Sequence, residues 1–178
     1  MNSTDNKIDL IKNAIRTVPD FPKKGILFRD ITTLIKNPET LKLAIDVLYD
    51  IFKDEEIDYI AGIESRGFIF GMPLAYKLNC GFIPVRKPNK LPCETISEEY
   101  DLEYGSDKIE IHKDALKKSD RVLIVDDLLA TGGTANAAIK LISKVAVVKG
   151  VAFVIELEDL KGRDKFPSGL KVVSLAKY

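Results

Sequence analysis

The run Val122-Leu123-Ile124-Val125-Asp126-Asp127-Leu128-Leu129-Ala130-Thr131-Gly132-Gly133-Thr134 constrains the fold of this chain more than any other segment. Its first four residues are apolar without alternation. A strand with that pattern is buried on both faces, as in parallel sheets with helices above and below. Ile57 to Ala61, Gly81 to Arg86, the short Ile109 to His112 and Val172 to Leu175 also read as strands, and Val147 to Leu157 contains another. Helical patterns lie between them. Asn37-Pro38 opens one, because Asn caps well and Pro suits the first helical position. Its apolar stripe is Leu41, Ala44, Ile45, Leu48 and Phe52. Phe68 to Leu78 and Thr134 to Ser143 read as two more. Ile8, Ile11 and Ile15, with Leu10 and Ala14, predict a short amphipathic helix that Pro19 and Pro22 stop. Strands alternating with helices predict an α/β fold with a central, largely parallel sheet flanked by helices.

A chain of 178 residues suits one domain. Lys+Arg and Asp+Glu each number 27, so no net field attracts nucleic acid or an anionic membrane. Cys80 and Cys93 form no CxxC, and the one histidine, His112, lies away from them. A disulfide framework is therefore not expected, which suits a reducing, cytoplasmic compartment. No apolar run reaches the roughly 18 residues of a membrane span, and Met1 to Lys7 is too polar for a secretory leader.

Ligands in such sheets bind beyond the carboxyl ends of strands, so the residues just past each strand carry the chemistry. After Val125, a turn from Ala130 to Thr134 can point several backbone N–H groups inward. Gly132 and Gly133 allow close approach of a ligand, and the helix start behind them carries partial positive charge. Thr131 and Thr134 add hydroxyls. Together these make a cradle for a phosphate monoester. Asp126 and Asp127 at its lip would repel that phosphate unless they face something else. Vicinal sugar hydroxyls or a magnesium ion, held directly or through water, both fit. No GxxxxGK[ST], GxGxxG or HExxH competes with this reading.

The turn Gly62 to Gly67 also comes after a strand, and Arg66 in it can fork onto phosphate oxygens. Arg86, Lys87 and Lys90 cluster after the next strand, where cations would neutralise a charged leaving group. Lys87 to Asp107 is long, polar and aperiodic, so it is expected as a functional or mobile loop.

The Val122–Thr134 run resembles the ribose-phosphate fingerprint of type I phosphoribosyltransferases, and within them the adenine branch. The resemblance extends from about Ile8 to about Ser174. Asp20-Phe21-Pro22 through Phe28-Arg29-Asp30-Ile31-Thr32, Glu64-Ser65-Arg66-Gly67-Phe68, Arg86-Lys87-Pro88-Asn89-Lys90-Leu91-Pro92 and Leu102-Glu103-Tyr104-Gly105 carry it further. It implies one domain over 1–178, with a small hood over about 1–34 and a flexible lid over about 87–107. Asp126, Asp127 and Ala130 to Thr134 would hold the ribose phosphate. Glu64, Ser65 and Arg66, joined by a cis peptide between the first two, would hold pyrophosphate with Arg86, Lys87 and Lys90. Arg66 would also serve catalysis, and Arg86 would reach across a homodimer. Asn89 stands where many relatives carry Gly, and Asn tolerates a left-handed backbone. Glu103 would be the acid/base at the purine and Tyr104 part of the closing lid. Backbone groups of Leu27 and Arg29 would read adenine, with Phe28 and Leu157 against its ring. Magnesium would reach the site through the substrate and water beside Asp126 and Asp127. The implied reaction joins adenine to 5-phosphoribosyl pyrophosphate (PRPP), giving AMP and pyrophosphate. A phosphoribosyltransferase for another base, or a regulator that binds PRPP without turnover, remains open on the residues alone. Lys161-Gly162-Arg163 matches a family segment to which no chemistry is assigned.

Overall fold

The computed structural model describes residues 3–101 and 105–178. The first helix, α1 (Ser3–Ala14), buries Ile11, while Ile15 just beyond it is also buried. Leu10 is exposed instead of joining that stripe. The helix ends well before Pro19, because Arg16 already pairs with Asp30 in a two-stranded antiparallel hairpin, β1 (Arg16–Pro19) and β2 (Leu27–Asp30). Pro19 is the last residue of β1, where an edge strand tolerates its missing N–H. A one-turn helix, α2 (Thr32–Lys36), leads to α3 (Pro38–Phe52). The Asn37 side chain accepts from the amides of Glu39 and Thr40, so this helix starts as its sequence requires.

The central sheet then begins with β3 (Tyr59–Ile63), two residues later than the apolar pattern predicts. Next in the chain are α4 (Gly67–Leu78) and β4 (Gly81–Val85). The segment after β4 differs from expectation. Thr95–Asp101 and Ser106–His112 form an antiparallel hairpin, β5 and β6; β6 contains the strand expected over Ile109 to His112, but β5 lies where a structureless loop was expected. Ile96 pairs with Ile111, and Ile109 and Ile111 are buried against the sheet. The apolar face thus comes mostly from β6, which hides the strand character of the acidic β5. Lys144 ties the hairpin down through Glu98 at 2.6 Å and the Ser97 carbonyl at 3.1 Å.

The remaining elements are β7 (Arg121–Leu129), α5 (Gly133–Ser143), β8 (Val147–Glu156) and β9 (Lys171–Lys177). The sheet order is β4-β3-β7-β8-β9, all neighbours parallel. Val122 and Ile124 pack on the α5 side, and Leu123 and Val125 on the side of α3 and α4. This covering of both faces explains why β7 reads as an unbroken apolar run. Burying each such side chain is worth about 1.5–3 kcal/mol. The strand also continues through Asp126 and Asp127, because its backbone keeps pairing with Phe153, Ile155 and Glu156. No helix among the described residues is long and apolar enough to cross a membrane.

Candidate active site

The carboxyl ends of β3 and β7 bring the two predicted phosphate turns together. A cavity of about 430 Å³ is lined by Ile63 to Arg66, Lys87, Tyr100, Asp107 and Asp126 to Ala135. Gly132 is the N-cap of α5 and makes no side-chain cap bond. The amides of Gly133, Thr134 and Ala135 therefore have no intrahelical acceptor, and these residues line the cavity. Gly132 holds φ at 77°, and a Cβ there would sit 2.3 Å from the Gly162 carbonyl oxygen. A Cβ on Gly162 would likewise meet the Ala130 carbonyl at 2.3 Å. The loop and the Gly162 turn lie back to back.

That turn is held from behind. Arg163 forks onto the buried carboxylate of Glu156 and donates to the Val172 carbonyl at 3.0 Å and the Ser174 hydroxyl at 3.1 Å. Lys161-Gly162-Arg163 thus braces the cradle, a role invisible in sequence because it depends on contact with Gly132.

Asp127 is buried, and its Oδ2 lies 2.8 Å from Arg66 Nε. Asp126 Oδ1 accepts the Asp127 amide at 2.8 Å. Burial raises the pKa of both acids. The charge of Asp127 adds to the rise at Asp126, while Arg66 opposes it at Asp127. Groups that donate to these carboxylates or bring positive charge offset that burial. Gly67 sets the spacing between the two turns, since a Cβ there would lie 2.6 Å from the Val125 carbonyl and 3.1 Å from Asp126 Oδ1.

The other turn has a cis peptide between Glu64 and Ser65. Glu64 takes two bonds from Arg86, at 3.1 and 3.2 Å, and one from the Lys87 amide at 3.0 Å. The Arg86 bonds, first among these contacts, hold its carboxyl below the usual range. Lys90 is exposed and brings only its carbonyl to Arg86, so it stands outside the cavity lining. Asn89 adopts a left-handed backbone, φ 63°.

Two residues with polar side chains in the cavity wall, Tyr100 and Asp107, escaped the sequence reading. The Thr134 hydroxyl donates to Tyr100 Oη at 3.3 Å, Tyr100 donates to Asp107 at 3.2 Å, and Asp107 pairs with Lys87 at 2.7 Å. This chain of bonds runs from the start of α5 to Lys87. Finding Tyr100 and Asp107 required knowing that β5 and β6 pair.

A second cavity, about 360 Å³, opens under the hood between Val18, Phe21, Phe28, Asp30, Ile31, Thr32 and Arg66. Phe21 and Phe28 meet edge to face with centroids 5.1 Å apart. Arg66 lines both cavities. Of the predicted base-site residues, Phe28 lines this pocket, Leu27 is exposed beside it, and Leu157 packs against the core without lining either cavity. Glu103 and Tyr104 lie outside the described residues.

With this geometry in place, known proteins give the family. The phosphoribosyl transferase domain model matches residues 30–171. The adenine phosphoribosyltransferase of Trichodesmium erythraeum is 57% identical over 169 residues, covering 94% of this chain and 99% of that one. The enzyme of the same name from Brachyspira hyodysenteriae is 60% identical over 161 residues, covering 88% and 95%. The chain belongs to the adenine phosphoribosyltransferase family. Solved adenine phosphoribosyltransferases share the whole fold. That of Thermoanaerobacter pseudethanolicus is 50% identical with a TM-score of 0.91, covering 96% and 99%. The Saccharomyces cerevisiae adenine phosphoribosyltransferase, in complex with an imino-altritol bisphosphate and adenine, is 43% identical with a TM-score of 0.90, covering 96% and 99%.

An adenine phosphoribosyltransferase with this donor set offers a metal few ligands. Among the described residues no group of three or more His, Cys, Asp or Glu side chains could hold an ion. A magnesium ion there would be held by substrate oxygens and water, with Asp126 and Asp127 beside it.

Proposed function

We infer that the chain transfers the 5-phosphoribosyl group of PRPP to adenine, releasing AMP and pyrophosphate. One observation supports this most: Arg66 is the common wall of two cavities of different chemistry. On one side are helix-start amides and acids, and on the other an apolar slot with an aromatic pair. A sugar phosphate on the first side and a flat base on the second would meet at that wall.

In this reading the amides and hydroxyls of Ala130 to Thr134 hold the 5-phosphate, and Asp126 and Asp127 accept from the ribose hydroxyls. The Glu64–Arg66 turn, with Lys87, receives pyrophosphate. Adenine N9 attacks C1′ as the C1′–O bond to pyrophosphate breaks, through a transition state with oxocarbenium character. The electron pair of that bond leaves with pyrophosphate, and the N9 proton passes to a base. By the family motif that base is Glu103. Leu27 and Arg29 present backbone groups to adenine, Phe28 packs on it, and Leu157 supports the pocket from the core. Magnesium, held by substrate oxygens and water beside Asp126 and Asp127, would neutralise charge on the leaving group. Residues about 1–34 form the hood. In this reading the lid spans about 87–107, a stretch that includes β5 and the start of β6. A cytoplasmic location and a homodimer in which Arg86 reaches the neighbouring subunit belong to the same reading, and sedimentation tests the dimer.

The experiment is AMP formation from PRPP with adenine or hypoxanthine offered. Adenine is expected to be used in preference. Preference for hypoxanthine would overturn the base assignment. PRPP binding without turnover on any base would replace the enzyme by a regulator.

A further inference from the structure

The hood hairpin is short. β1 and β2 have four residues each, and a lone two-stranded hairpin of that size has little stability of its own. Strand alternation divides its side chains. Val18, Phe28 and Asp30 face the apolar cavity. Thr17 and Arg29, paired across the hairpin, are set on the opposite face. There the Arg29 guanidinium donates to the Thr17 hydroxyl and lies 3.8 Å from the centroid of the Tyr178 ring. Its buried Nε has no hydrogen-bond partner, so the ring is its main support on that side.

Tyr178 is itself held by the core. Its amide donates to the Glu156 carbonyl at 3.0 Å, and its carbonyl accepts from the Glu158 amide at 2.9 Å. Its hydroxyl donates to the Lys12 carbonyl at 3.1 Å at the end of α1. One residue therefore joins the edge of the parallel sheet to the first helix and to the back of the strand that carries Phe28.

We propose that Tyr178 is a positioning residue for the base: its ring, stacked on Arg29, sets the pitch of β2 and so the placing of Phe28 and Asp30 in the base pocket. This rests on the assignment of that pocket to adenine. It goes beyond that assignment because Tyr178 lines neither cavity.

The test is initial-rate kinetics of AMP formation, with KM measured separately for adenine and for PRPP. Tyr178→Leu keeps apolar bulk but removes the aromatic face. It is expected to raise KM for adenine by about fivefold, equivalent to about 1 kcal/mol, with KM for PRPP within about twofold. Tyr178→Phe keeps the ring and drops only the bond to Lys12, so it recovers most of the loss. Arg29→Met, which keeps the backbone, is expected to match Tyr178→Leu, and the double variant to be no worse than either. An unchanged KM for adenine, an equal rise in both KM values, or full additivity in the double variant overturns the proposal. So does a Phe variant as impaired as Leu. A wild-type protein that makes no AMP from adenine overturns the underlying assignment, and the proposal with it. AMP formation with an unmoved KM overturns the proposal alone.

Discussion

Gly132 sits under two independent constraints, a left-handed backbone and a carbonyl 2.3 Å from where its Cβ would be. Gly132→Ala is therefore expected to cost about 1–3 kcal/mol of local strain. The measurable result is a rise in KM for PRPP of about tenfold or more, with KM for adenine moving less. Glu103 is the residue at which turnover itself is expected to fail. Glu103→Gln should lower kcat at least about tenfold while ribose 5-phosphate binding survives, as loss of general acid–base help typically costs about 10²–10⁴-fold. Unchanged turnover would remove Glu103 from the mechanism. Asp30 gives a pH signature. Bonds from Arg16 first, then from Thr32, lower its pKa to about 2. The unfolded value is about 3.9, so the folded state gains stability above about pH 4 and loses it as pH falls toward about 2. In urea unfolding, wild type should exceed Arg16→Gln by a margin that shrinks over that acidic window. A margin constant with pH would deny Arg16 its part in holding Asp30 charged.

Among elements, β7 was legible because both its faces are buried, so no polar residue interrupts Val122 to Val125. Leu123, fully buried on the α3 and α4 side, tests that burial. Leu123→Ala should destabilise by about 2–5 kcal/mol in chemical denaturation. A loss below about 0.5 kcal/mol, the usual surface range, would contradict the packing. Helix α3 was legible through Asn37-Pro38, since a cap is written in adjacent residues. The β5 strand was not, because Ser97, Glu98 and Glu99 look solvated until β6 is seen to supply Ile109 and Ile111 beneath the hairpin. Helix α2 spans five residues, too few to display a period.

Across the whole molecule, the two turns proposed to hold phosphate and pyrophosphate stand out in sequence because each is a contiguous segment at the end of a strand. The long-range links around them do not. Arg66 bridging to Asp127, Tyr100 between Thr134 and Asp107, and Tyr178 behind Arg29 are contacts between distant parts of the chain. No local pattern announces them. The same distance separates Gly162 from the loop it supports. A lesion at Arg163, or a bulkier residue at Gly162, would therefore register first in the laboratory as weak substrate capture. An investigator screening for binding defects would be led to a turn that does not line the cavity, and would do well to suspect the scaffold behind the loop before redrawing the ligand's contacts.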